Sequence, residues 1–173
     1  AYDLHSLEEL WRYEPRIVDG TLRHARPPAW FRAEGGIEAY VSVVYGINTY
    51  DLEARRISDG GRLWRINLVR SSIGQTGVLT GTSVLAQSGR IMSYVNAGGS
   101  GALRAHEVDG EVAWTFDANA SEQVFREYAT HAAGRSGTVY LAIGSNVYAI
   151  DEREGELLWT LEDHGGFSGR CVT

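Results

Sequence analysis

Ala149-Ile150-Asp151-Glu152-Arg153-Glu154-Gly155-Glu156-Leu157-Leu158-Trp159 is the stretch that decides the fold. An apolar run ends at an acid, a polar turn closes on glycine, and a second apolar run carries a tryptophan; this is the pattern of two short strands joined by a tight turn. The same grammar recurs upstream. Arg104-Ala105-His106-Glu107-Val108-Asp109-Gly110-Glu111-Val112-Ala113-Trp114 repeats it closely, and Thr49-Tyr50-Asp51 through Asp59-Gly60-Gly61-Arg62-Leu63-Trp64 repeats it with Glu53 to Ser58 read as a longer turn. Ala1-Tyr2-Asp3-Leu4-His5-Ser6-Leu7-Glu8-Glu9-Leu10-Trp11 is the fourth copy, with Leu7 where the others have glycine. Trp11, Trp64, Trp114 and Trp159 stand 53, 50 and 45 residues apart, a period in the range of one four-stranded propeller blade.

The segments between the tryptophans supply the remaining strands. Ala129–Ala133, Thr138–Ile143, Asn146–Asp151 and Glu156–Leu161 make the last set of four, separated by Gly134-Arg135-Ser136-Gly137, Gly144-Ser145 and the Glu152–Gly155 turn. Ser83–Ala86, Ile91–Val95, Ala102–Ala105 and Val112–Phe116 make the set before it, and Ala39–Tyr45 and Ile47–Asp51 belong to an earlier one. Pro15 to Gly36 is the least regular region, and Ser121–Tyr128 is read as an inter-blade loop with at most one helical turn. The expectation is an all-β chain: a β-propeller of four-stranded antiparallel blades, about three full blades plus parts of a fourth over residues 1–173, partial or completed by oligomerisation. Neither end coincides with a blade boundary, and blades bury their faces only against neighbours. Two copies completing a ring of about eight blades is therefore one expected assembly.

Composition narrows the function classes. A net charge of −6 and 16 basic residues, all arginine and dispersed along the chain, give no basic patch for nucleic-acid phosphates. No stretch approaches a membrane span. Cys171 is the sole cysteine, which excludes an intrachain disulfide and a cysteine metal cage. His5, His24, His106, His131 and His164 show no paired metal-ligand spacing; His131 falls on an expected inner strand. Asp117-Ala118-Asn119-Ala120-Ser121 starts like a calcium loop, but Glu122 stands where the loop needs glycine and Tyr128 where it needs a bidentate glutamate. No nucleophile elbow or phosphate-binding glycine loop is present.

Val147-Tyr148-Ala149-Ile150-Asp151, Gly155-Glu156 and Leu158-Trp159 resemble the repeat of the PQQ-like, or quinoprotein-type, β-propellers, and the four copies carry the resemblance over nearly the whole chain. The resemblance implies that Trp11, Trp64, Trp114 and Trp159 dock each blade on the small residue and glycine of an adjacent motif, with Gly60, Gly110 and Gly155 as turn glycines. An indole buries a large apolar area and still satisfies its N–H on a carbonyl, which suits such a joint. Dehydrogenases of this superfamily hold the quinone over a tryptophan, coordinate calcium and often carry adjacent cysteines. This chain has no cysteine pair, so PQQ and calcium are not expected and no catalytic, cofactor or metal residue is assigned. The reading is a non-catalytic protein-binding, scaffolding or sensor module, with a fragment of a PQQ- and calcium-dependent dehydrogenase as the alternative. A protein or peptide partner is expected at the proline-aromatic segment around Trp30 and Phe31 and at the expected insertion around Arg55 and Arg56. The resemblance favours an extracytoplasmic setting.

Overall fold

The computed structural model describes residues 8, 9, 11, 12, 29–45, 49–70, 84–97, 100–118, 130–134, 136–143 and 146–162. Among them lie twelve strands and a single 3-10 turn at Glu34–Gly36. The strands are β1 (Ala29–Arg32), β2 (Glu38–Tyr45), β3 (Thr49–Arg56), β4 (Arg62–Arg70), β5 (Val84–Leu85), β6 (Ile91–Ala97), β7 (Ser100–His106), β8 (Val112–Ala118), β9 (Thr130–Ala133), β10 (Thr138–Ile143), β11 (Asn146–Asp151) and β12 (Leu157–Glu162). They form three four-stranded meanders, β1-β2-β3-β4, β5-β6-β7-β8 and β9-β10-β11-β12, antiparallel throughout. The first strands β1, β5 and β9 lie next to one another. Strands radiating outward from adjacent inner strands are the arrangement of propeller blades.

The sequence sets each sheet's register. Ala54 pairs with Trp64, Ala105 with Trp114 and Ala149 with Trp159, and immediately after each alanine the ladder slips at a bulge. A bulge strengthens the local twist, so it falls where the third and fourth strands close toward their turn. The longer turn expected over Glu53 to Ser58 is absent: β3 continues through Arg56, and the turn spans only the following residues to Gly61. Glu53 and Arg55 alternate with Leu52 and Ala54, so these two charges occupy one face of a strand whose other face is apolar there.

Each sheet has a forward face, toward the next sheet in the chain, and a backward face. Val41, Val43, Leu52 and Ala54 on the forward face of the first sheet pack with Ile91 on the backward face of the second. Met92, Tyr94, Leu103 and Ala105 on the forward face of the second pack with Val139, Leu141, Ile143 and Ile150 on the backward face of the third. The core thus consists of two inter-sheet layers, and no sheet encloses a core of its own.

Leu103, fully buried at the second seam, should on replacement by alanine cost about 2–5 kcal/mol of unfolding free energy. Leu158, half exposed on the outer strand, should change stability by no more than about 0.5 kcal/mol on the same replacement. Denaturant unfolding of the two variants beside the parent chain measures both.

Candidate functional site at the blade joints

The densest set of specific interactions lies where one blade's outer strand meets the next blade's third turn. The Trp11 indole N–H donates to the Ile57 carbonyl at 2.6 Å, Trp64 to Val108 at 2.7 Å and Trp114 to Glu152 at 3.0 Å. Each indole lies on the glycine that closes the same turn. A Cβ built on Gly60 or Gly155 would come within 2.8 and 2.6 Å of the respective ring, closer than carbon atoms approach in packed interiors, and one on Gly110 would come within 3.1 Å, tight enough that the ring would have to shift. All three glycines have positive φ (70°, 96° and 74°), a conformation that costs other residues steric strain. Trp11 also stacks on Tyr40, with ring centroids 5.7 Å apart and planes 10° from parallel. Trp159 differs: its ring touches Tyr140 of its own sheet and is 47% exposed.

Each joint carries a polar reinforcement of its own. At the first, Arg55 Nη1 donates to the Gly60 carbonyl at 2.7 Å while its Nε donates to Glu53 at 2.6 Å. Glu53 is buried; its other oxygen lies 3.7 Å from Arg65 and 4.0 Å from Arg62, and Arg65 also pairs with Asp51. At the second joint His106 holds the position Arg55 holds in the first sheet. Its Nδ1 lies 3.3 Å from the Gly110 carbonyl and its Nε2 2.8 Å from Ser93 Oγ. With the proton on Nδ1 donated to that carbonyl, Nε2 accepts from the serine hydroxyl. Burial pushes the imidazole down to about 4, opposed by the Gly110 carbonyl and helped by nearby Arg104. Ser93 and His106 are both buried, so this pair pins a turn and presents no nucleophile to a substrate.

The third joint is the most extensive. Buried Glu152 reaches back to the preceding sheet, where its carboxylate accepts the backbone N–H groups of Gln87 at 3.2 Å and Ser88 at 2.7 Å. Arg90 bonds both Glu107, at 2.8 Å, and the Arg153 carbonyl. A polar cleft of about 440 Å3 lies over this joint, walled by Gln87, Ser88, Ser136, Asp151 and Arg153. Its carboxylates are engaged with backbone: Asp151 accepts from Glu154 and Arg153 N–H, which holds its pKa below the ordinary carboxylate value. Among the described residues no group of three or more His, Cys, Asp or Glu side chains could hold a metal ion.

The sequence-derived contact residues fall in different settings. Phe31 is buried against Trp64, with ring centroids 6.4 Å apart, so it is core and offers no surface to a partner. Trp30, its neighbour on β1, is 50% exposed. Arg55 lies in β3 and is committed to Gly60 and Glu53, which corrects its placement in an insertion; Arg56 ends the same strand and pairs with Asp59 at the surface. His131 is buried on β9. Asp117 lies in β8, whereas Asn119 to Ser121, Ser121–Tyr128 and Cys171 lie outside the described residues. Glu152 and His106 were not singled out as joint residues from sequence; the acid inside each turn is the only signal that pointed toward the first.

Among the described residues, three four-stranded sheets joined by tryptophan on glycine turns define β-propeller blades of the PQQ type. The family model described as outer membrane protein assembly factor BamB matches residues 1–166, and the chain belongs to this BamB-like PQQ-repeat family. A search of curated proteins gave no match. No helix among the described residues is long and apolar enough to cross a membrane.

Trp114→Ala should cost about 3–5 kcal/mol, because it removes both the ring area and the bond to Glu152. Glu152→Ala leaves two backbone N–H groups at the seam without their acceptor and should cost about 1–3 kcal/mol. His106 gives a pH signature. Its folded value lies below its unfolded one near 6.5, so the unfolded chain takes up the proton first and stability falls as pH drops from about 6.5 toward 4. The loss should be on the order of 3 kcal/mol, and chemical unfolding of His106→Gln across that range should lack this component.

Proposed function

We propose that the protein is a non-catalytic propeller module that binds or scaffolds protein partners. What carries this reading is the use to which the joints put their buried polar groups: Arg55, His106 and Glu152 each hold a backbone group of a docking turn or of the neighbouring sheet. Chemistry-capable side chains are thereby spent on rigidity, and a rigid frame is what presents surface loops and exposed side chains at fixed spacing. The description of the matching family, an outer membrane protein assembly factor, supports a protein partner in place of a small-molecule substrate. Trp30 is the described side chain best suited to a partner contact, because it is a large aromatic left half exposed on a strand whose neighbour Phe31 is anchored in the core. Arg56 on the rim is the second.

The alternative, part of a PQQ- and calcium-dependent dehydrogenase, predicts quinone reduction chemistry. The test is dye reduction by the purified protein with PQQ, calcium and a panel of alcohols and aldoses as electron donors, run beside photo-crosslinking from position 30 in the producing cells. The scaffold reading predicts no dye reduction and a discrete protein adduct that disappears when the crosslinker is moved to buried position 31. Cofactor-dependent turnover without a protein adduct would contradict it.

A further inference from the structure

The two inter-sheet layers are unequal. Among the described residues the third sheet gives its seam four buried apolar side chains, Val139, Leu141, Ile143 and Ile150. The second sheet gives the seam before it only one, Ile91. Places that Leu141, Tyr148 and Ile150 take on the backward face of the third sheet are taken on the second by Ser93, Arg104 and His106. Arg104 reaches across to the first sheet, with Nη1 3.5 Å from the Leu68 carbonyl of β4. Ser93 and His106 are shut in, 3% and 1% exposed. The seam between the first and second sheets is thus closed over polar side chains, and its Trp64 joint rests on the turn that His106 holds through the Gly110 carbonyl.

We propose that this seam is an acid-operated hinge: protonation of His106 releases the Glu107–Glu111 turn and with it the Trp64 joint, so that the first sheet parts from the second while the third stays docked. In the closed seam the neutral ring donates from Nδ1 to the Gly110 carbonyl and accepts at Nε2 from Ser93 Oγ. A second ring proton turns Nε2 into a donor, so Ser93 must reverse, and it leaves a cation where water does not reach. The surroundings give that cation no partner. From the first sheet Ala54, Leu63, Trp64 and Ile66 enter the layer, all apolar. Arg104 on the same face is a like charge that opposes protonation. In the turn, Glu107 is committed to Arg90, Asp109 caps the Glu111 N–H, and Glu111 is exposed. Opening the turn hydrates the ring and removes the conflict. At the equivalent position the other joints carry Arg55, whose guanidinium stays charged, and Ile150, which has no charge to change. The trigger therefore belongs to one seam of the molecule, and to the seam with the smaller apolar contribution from its second sheet.

The test is NMR hydrogen exchange of the indole N–H groups of Trp64 and Trp114 in the full chain at pH 7 and pH 5, assigned through Trp64→Phe and Trp114→Phe. The ratio of the two rates cancels the intrinsic pH dependence of indole exchange and reports opening of one seam against the other. The closed ring titrates at about 4 and the hydrated ring near 6.5, so opening takes up a proton and is favoured as pH falls between those values. The Trp64-to-Trp114 ratio should therefore rise about twentyfold from pH 7 to pH 5. In His106→Gln, and in His106→Ile, which carries the third sheet's residue at this position, the ratio should stay constant. A parent ratio that does not change with pH would overturn the proposal, since it means that the two seams open together or not at all. So would a ratio that rises equally in either variant, because the trigger would then lie elsewhere.

Discussion

The structure depends on an indole laid across a glycine turn. The two apolar layers lie between sheets and no sheet has an interior of its own, so the stability of the blades is carried at the seams. A tryptophan is suited to the seam because its ring covers the turn while its N–H reaches the turn's carbonyl, so the polar group it brings into the joint is satisfied there. The glycine is the other half of the same constraint: only a residue without Cβ leaves room for the ring and accepts the turn's backbone conformation.

Around this constant element the joints differ. An arginine paired with a buried glutamate holds Gly60, a neutral histidine backed by a serine holds Gly110, and at the third joint a buried glutamate clamps the preceding sheet. The three solutions have different electrostatic character. The first is a network of ion pairs, the second depends on a histidine staying uncharged, and the third satisfies a carboxylate with backbone N–H groups. All three lead to a frame whose buried polar groups face inward to the joints, leaving exposed side chains such as Trp30 and Arg56 available at its surface.

The fold class was legible because period, turn glycine and tryptophan are all local features, and four copies reinforce one another. What escaped a linear reading depends on which face of a strand a residue occupies. Glu53, Arg55 and Arg56 read as loop because charge is common in loops, yet alternation with Leu52 and Ala54 places the first two on one face of β3. Trp30 and Phe31 read as one aromatic patch, and adjacency in a strand sends them to opposite faces, one exposed and one in the core. Glu152 was hidden for another reason. Its partners Gln87 and Ser88 are some 64 or 65 residues away, and nothing in a turn sequence separates an acid that caps a neighbouring sheet from one that faces water.

The most direct test of the seam as the organising interaction is native-state hydrogen exchange, read peptide by peptide by mass spectrometry, on the Trp114→Ala chain. If the indole joins the second and third sheets, protection should fall together in the turn following Asp151, in β11 and β12, and in β7 and β8, while the first sheet keeps its protection. Loss confined to the strand that carries residue 114, with the third sheet unchanged, would contradict the account.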